Sequence, residues 1–431
     1  MKRIFSILAA AMMFAACSSD RDNILKVYNW SDYIDEALIG EFEEWYEEQT
    51  GEPVKIVYQT FDINETMLSK IEKGHEDYDV VCPSDYIIER MLREDLLLPI
   101  DMDFSNTPNY IEGSLSPYIV ECLKNLKTGD KDASKYAVGF MWGTTGFLYN
   151  TKYVDPEDLR TWDALRNPKF ADKIFVKDAA RDIYSQIIQY VKRDEIASGK
   201  VTRDELLSVP NQENVDLVEN YLKQIKGQVA GYEADFGKDQ MTQERGWISL
   251  NWSGDAYWAM EEAAAVGVEL DYIVPDEGAT VWFDGWVIPK YAKNTKAAAY
   301  FINFMCKPEN AILNSEEIGY VSACGTPEIL EHFEDESMEP INLTYFFGEG
   351  ADSVRLDPVL YPDQSVIERC ALEHDGGEDS QMLIDMWSRV KGSNASVMTY
   401  IIIGALFVGL VAGVIASRTK KRYRSRAKRR R

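Results

Sequence analysis

The sequence predicts an α/β protein folded as two lobes, and three observations predict it. The amino-terminal third alternates short apolar strands with amphipathic helices in units of roughly thirty residues, the pattern of βαβ crossovers. A second α/β region follows at about 143–274. Between the two, residues 136–149 (YAVGFMWGTTGFLY) are apolar and small without helical period, as an extended crossing between lobes would be.

The elements follow in order. Residues 24–28 read as a strand, and 35–49 as a helix with Leu38, Phe42 and Trp45 on one face and Thr50-Gly51 at its end. Residues 53–59 alternate Val54, Ile56 and Tyr58, a strand signature. Asn64 is placed to cap a helix to 73 that Gly74 stops; 78–82 is a buried strand, and 85–94 is helical. In the second region helices are expected at 181–196, 213–225 and 254–266, and strands at 174–177, 247–251 and 269–274. Residues 280–289 (TVWFDGWVIP) then lead into a helix at 295–306 whose apolar face carries Ala298, Phe301, Ile302 and Met305. The expected sheet is mainly parallel and doubly wound. Two crossings between lobes would make a hinged clamp.

Charge is unevenly spread over the 431 residues. The net is −26, yet the last fourteen residues hold ten Lys or Arg and no acid, and Lys2 and Arg3 stand at the start. The middle therefore carries 34 basic against 72 acidic residues, a net of −38. Such a body repels nucleic acid and steers cations toward itself. The ends read as addresses. Residues 1–16 form a signal peptide ending Ala15-Ala16, with Cys17 placed for lipidation in a lipobox-like context and 17–23 as a tether. Residues 397–416 are uncharged and long enough to cross roughly 30 Å of hydrocarbon, so a transmembrane helix is expected there. The basic run at 417–431 then lies in the cytoplasm by the positive-inside rule, against anionic inner-membrane lipid. Cys82, Cys122, Cys306, Cys324 and Cys370 contain no C-x-x-C, and the three histidines have no ligand spacing, so no metal site is expected. Cys82, in the apolar run DVVCP, is read as a buried thiol.

Chemistry gathers at strand ends. Trp30, Ser31, Asp32 and Tyr33 close the first strand; Ser84, Asp85 and Tyr86 follow the one at 78–82. Four further segments mix rings and acids: KDAARDIY (Asp178, Arg181, Asp182), LNWSGDAYWAM (Trp252, Asp255, Tyr257), VWFDGW (Trp282, Asp284, Trp286) and EEIGYVSACGTP (Tyr320). Singly, such rings are core packing and such acids are helix caps. Together, at the carboxyl ends of strands where α/β sheets bind ligands, they suit an elongated cation: π-faces along its chain, carboxylates at its charges.

The set YNWSDYI, VVCPSDYIIERM, DAARDIY, WSGDAYWAM, VWFDGWVIP, FINFMCKPENA, EIGYVSA and LYPDQSVIER, in this order, closely resembles the spermidine/putrescine-binding proteins of polyamine ABC transporters, over about 25–391. The resemblance implies a two-lobed periplasmic-binding-protein fold, type II-like, with hinge crossings. Its amino-terminal lobe would comprise 24–138 and 280–328, and its carboxyl-terminal lobe 139–279 and 329–391. It implies a receptor that captures putrescine or spermidine and delivers it to ABC permease subunits on the periplasmic side of the inner membrane, without a cofactor. Carried across by position, Trp30, Tyr33, Tyr86, Trp252, Trp282 and Tyr320 form the aromatic box. Asp284 is the foremost amine partner, followed by Asp182 and Asp178, with Ser31, Asp32, Ser84 and Asp85 as polar contacts. The chain departs from the family where DAARD replaces a DDARE-like segment, leaving Ala179 for an acid. A late contact falls near HDGGED, at Glu373 or Asp375, and the carboxyl-terminal span lies outside the family pattern.

Other readings use the same features. One is a receptor of this fold for another solute, such as another cation, ferric ion or an anion. Another is a membrane-anchored polyamine sensor acting through a partner protein. An enzyme is not expected, since G-x-S-x-G, H-E-x-x-H and Cys–His arrangements are all missing from the sequence.

Overall fold

The first strand, β1 (Ile24–Trp30), takes β2 (Lys55–Phe61) on one edge and β3 (Val80–Val81) on the other, both parallel. The helix Ala37–Thr50 joins β1 to β2, burying Leu38, Phe42 and Tyr46, and Gly51 ends it in the left-handed conformation (φ 72°). The short strand β4 (Leu97–Leu98) and the hairpin β5 (Lys127–Thr128) and β6 (Lys131–Asp132) complete the first third. These assignments come from a computed structural model that describes residues 21, 23–233 and 237–392.

β7 (Ala137–Asn150) is the long crossing, and all fourteen of its residues are buried. Beyond it come β8 (Ile174–Lys177), β9 (Val229–Glu233), β10 (Ile248–Trp252) and β11 (Leu270–Ile273). β12 (Thr280–Pro289) returns, and β13 (Val321–Ser322) and β14 (Ala371–Leu372) close the set. The main path through the sheet is β2-β1-β3-β12-β7-β10-β8-β9. Its flanks are parallel, β1 with β2 and β3, and β8 with β9 and β10. Its centre is not. β12 pairs antiparallel with β3 and β7, and β7 antiparallel with β10, β11 and β13. The parallel expectation therefore holds for the flanks alone: the two apolar runs that cross the molecule run against each other.

One half of β7, through Thr144, lies beside β12; the other, from Thr145, lies beside β10. That strand is the seam between the two parallel flanks. Two clusters fill the faces of the β1 flank, one around Phe42, Trp286 and Phe301, the other around Trp142, Phe283 and Phe346. Rings at 5.2 Å (Phe42–Phe301) and 5.0 Å (Trp142–Phe346) bury large apolar areas there, at about 25 cal/mol per Å².

Most elements fall within a few residues of expectation, and Thr295–Met305 ends one residue early. The helix at 181–196 divides into Ala180–Val191 and Arg193–Ala197. Asn64 does not cap its helix: Ile63 holds the cap position, and Asn64 is buried inside the fold. Cys82 is a buried thiol as expected, and the described cysteines are all unpaired. Up to Leu383 the described chain forms one compact unit. Ile384 onward belongs to a second, of which only 384–392, the end of the helix Ser380–Gly392, is described. The leader at 1–16, Cys17, the span at 397–416 and the basic tail at 417–431 lie outside the described residues. Among the described residues no helix is long and apolar enough to cross a membrane.

Candidate functional site

The site grows outward from a buried carboxylate in the middle of β12. Along that strand alternate side chains face opposite ways, so Trp282 and Asp284 share one face while Phe283 enters the core. Opposite Asp284 the ladder slips: Asp284 stands across from Met141, but Gly285 stands across from Gly139, leaving Phe140 as an extra residue in β7. Such a bulge bends a strand and re-aims its neighbours. Here Ser84 bridges to Asp284 on the backbone, and Gly285 donates its N–H to Pro83.

Asp284 is 7 % exposed. Its Oδ1 accepts from the Ser84 hydroxyl at 2.6 Å and its Oδ2 from the Tyr33 hydroxyl at 2.8 Å. Burial pushes this carboxyl from the ordinary 3.8 up to about 6, and the two hydroxyl donors only partly offset it. Among the described residues no Lys or Arg comes within ion-pair distance of it.

From Asp284 the contacts run in two directions. Through Tyr33 they reach Tyr320, edge-on at 5.6 Å, whose hydroxyl donates to Asp255 Oδ1 at 3.0 Å. Trp282 lies 5.6 Å from the same Tyr320 ring and 6.3 Å from Trp252. Lys177, the last residue of β8, sets its Nζ 2.8 Å from Asp255 Oδ2 and 3.3 Å from the Trp252 ring centre. The Trp252 indole then donates to Asp182 Oδ1 at 2.8 Å.

The other direction runs through Ser84. The Asn64 amide donates to Ser84 Oγ and to the Tyr86 hydroxyl, each at 3.1 Å. The Arg181 guanidinium sits 4.3 Å over the Tyr86 ring and 4.0 Å from Glu373 Oε2, steadied by the His374 carbonyl and the Ser380 hydroxyl. Glu373 Oε1 is buried with no hydrogen-bond partner among the described residues. Burial, then the charge of Asp182, raises the Glu373 carboxyl to about 7. Burial likewise raises Asp182, against the Trp252 donor and the charge of Lys177. Asp182 and Glu373 therefore close the two paths into a loop.

Asp182 and Asp255 each stand in the first turn of a helix, Ala180–Val191 and Ser253–Ala265, where the helix dipole favours a negative charge. Close packing around the rings leaves no room at Gly254: a Cβ there would lie 2.4–2.6 Å from the Tyr320 ring.

The structure sorts the expected residues. It brings Tyr33, Ser84, Tyr86, Asp182, Trp252, Trp282, Asp284 and Tyr320 into this loop. Trp30 stands apart, tilted on Phe61 at 4.5 Å at the end of β1. Ser31 is exposed and donates to Asp62 at 2.9 Å; Asp32 is exposed in a left-handed turn (φ 51°). Asp178, the first residue past β8, is exposed beside Tyr232, whereas Lys177 at the strand's end is buried. Asp85 is buried on backbone, accepting from Tyr86 N and Phe283 N, and its carboxyl is pushed well up by burial and by the Glu373 charge. Ser31, Asp32, Asp85 and Asp178 thus stand outside the loop of contacts around Asp284. The structure adds Asn64, Lys177, Asp255 and Glu373. Of these, Asp255 and Glu373 were visible as acids in suggestive segments, and Lys177 and Asn64 gave no signal.

The chain is 27 % identical over 385 residues to the spermidine/putrescine-binding periplasmic protein of Escherichia coli K12, covering 89 % of this chain and 96 % of that one. It is 26 % identical over 340 residues to the putrescine-binding periplasmic protein PotF of the same organism, 75 % of this chain and 84 % of the relative. Its fold matches the spermidine/putrescine ABC transporter substrate-binding protein PotD from Streptococcus pneumoniae with a TM-score of 0.65 at 28 % identity, over 86 % of this chain and 98 % of that one. The α/β periplasmic-binding-protein fold is thus shared with binding proteins, not enzymes. With residues 39–330 matching its family model, about two-thirds of the sequence, the chain belongs to the bacterial extracellular solute-binding protein family.

Proposed function

We propose that this protein is an extracytoplasmic receptor that captures a polyamine in the loop of rings and carboxylates around Asp284 and delivers it to the permease of an ABC importer. Asp284 carries the reading. A carboxylate so buried is costly to ionise, and two hydroxyl donors do not supply the opposite charge that would stabilise it. An ammonium group seated against it supplies that charge. Around the loop the carboxylates of Asp182, Asp255, Asp284 and Glu373 outnumber the two bases Lys177 and Arg181, an acidic excess that suits a cationic ligand. The contiguous rings of Trp252, Trp282, Tyr320 and Tyr33 suit the methylene chain between amines. Each ring–ammonium contact contributes about 0.5–2 kcal/mol, so a few of them with the ion pairs reach the roughly −8 kcal/mol of micromolar binding.

The names of the relatives, spermidine/putrescine-binding and putrescine-binding, support the same ligand class. β7 and β12 are the two crossings about which lobes of the expected boundaries would close, and closure would mark the loaded state for the permease. The leader, a lipid on Cys17 and the span at 397–416 would hold the receptor at the outer face of the inner membrane, above a basic cytoplasmic tail.

Calorimetric titration of the purified full-length chain in mild detergent tests this. Saturable heats with putrescine or spermidine, and none with glutamate or ferric citrate, are expected. Flat heats with both polyamines from a folded sample would sink the reading.

A further inference from the structure

Asp255 repeats the arrangement at Asp284. Each carboxylate accepts from a tyrosine hydroxyl, Asp284 from Tyr33 and Asp255 from Tyr320, and the two tyrosine rings meet edge-to-face at 5.6 Å. The difference is the cation. Asp284 has none among the described residues, whereas Asp255 holds the Lys177 ammonium at 2.8 Å, seated 3.3 Å over the Trp252 ring. A carboxylate below and a ring face above is the very environment an amine of the ligand requires. The Lys177 side chain is 4 % exposed, so it is built into this position and is not a surface chain folded over it.

We propose that Lys177 is a specificity-determining residue: its ammonium permanently fills one of the amine positions of the site, so that the remaining positions fit a diamine and an additional amine finds its carboxylate and ring already taken. This rests on the polyamine reading above. A longer triamine must either displace Lys177, leaving an ammonium without its carboxylate, or place its extra charge where no carboxylate answers it; both cost affinity. Lys177 thus selects by occupying space and charge, and it need not touch the diamine.

The test compares putrescine and spermidine on the full-length chain, its Lys177→Met and Lys177→Gln variants, and the double variant Lys177→Met/Asp255→Asn. Lys177→Gln keeps a hydrogen-bond donor for Asp255 and preserves the fold should Lys177→Met not. The wild type is expected to favour putrescine. Both single variants should shift the affinity ratio toward spermidine by about tenfold, the size of one charge-assisted contact. The double variant should lose that gain, because the carboxylate that would receive the extra amine is gone. A wild type that prefers spermidine, or a ratio unmoved in a folded Lys177→Gln protein, overturns the role of Lys177 and leaves the polyamine reading standing. A wild type that binds neither amine overturns both.

Discussion

The hydroxyl of Tyr33 and the carboxylate of Asp284, 251 positions apart in the chain, meet at 2.8 Å, and Ser84 completes the grip at 2.6 Å on the other oxygen. Two neutral donors thus hold an acid that burial has raised to about 6. Replacing Asp284 by Asn removes the charge and keeps the shape. Polyamine affinity is expected to fall at least about a hundredfold, since breaking a buried ion pair costs roughly 3–5 kcal/mol. Asp32→Asn, in its exposed turn, should change affinity less than about twofold, as rim charges do. Calorimetry of the two variants side by side decides it, and equal losses would remove Asp284 from its central place.

The same residue governs stability in the opposite sense. In the folded protein Asp284 titrates near 6 and Glu373 near 7, both above their ordinary values of 3.8 and 4.5. The fold therefore binds protons between about pH 4 and 7 that the unfolded chain has released, and stability falls as pH rises through that window. His374, lowered by burial but raised on balance by the hydrogen bond and charge of Glu89, adds the same sign. Without ligand the protein should melt higher near pH 5 than near pH 7.5. At about 1.4 kcal/mol per pKa unit, Asp284→Asn should recover up to about 3 kcal/mol at neutral pH, so the weaker binder is the more stable variant. Ligand affinity must run the other way, falling below about pH 6 as the carboxylates take up protons. Thermal melts and titrations across this range check both slopes; a stability rising from pH 5 to 7.5 contradicts the assignment.

Much of this was legible in the sequence, and the exceptions share a cause. The segment 280–289 stands out in the sequence as an aromatic, mostly apolar run around Asp284 that ends at a proline, and the structure makes it the strand β12. Lys177 was passed over for Asp178 because a lysine ending a strand reads as solvated. Its contacts with Asp255 and Trp252, 78 and 75 residues away, show that it is buried over the Trp252 ring. Asn64 was read as a local cap; its partners, Ser84 and Tyr86, are 20 and 22 residues away. Glu373 meets Arg181 across almost half the chain, a distance no local pattern spans. Local signals located the strands and their rings, and long-range contacts decided which charges face one another.

Gly254 should tolerate no side chain. Its Cβ would enter the Tyr320 ring at 2.4–2.6 Å, and that ring is held by Tyr33, Trp282 and the hydrogen bond to Asp255. Gly254→Ala is expected to push the ring aside, at about 1–3 kcal/mol of overpacking strain, and to weaken polyamine binding about tenfold. Tyrosine and tryptophan fluorescence with calorimetry would follow the two effects; unchanged affinity would mean that the Tyr320 ring takes no part in binding.

Asn64→Ala tests whether the two sides of the loop act together. The Asn64 amide is the only described donor shared between Ser84, which holds Asp284, and Tyr86, which carries the Arg181 guanidinium. Removing it takes two hydrogen bonds from Ser84, at its hydroxyl and its N–H, and one from Tyr86, each at about 1 kcal/mol. Ser84 can still donate to Asp284, so the fold should lose only about 2–3 kcal/mol of stability. Affinity should fall about five- to tenfold, because the carboxylate at one side and the cation-bearing ring at the other are no longer held in register. A double cycle with Ser84→Ala separates the possibilities. If Asn64 acts by positioning Ser84, the second change adds little to the first; fully additive losses in calorimetry would show that Asn64 merely packs and that the two sides bind independently.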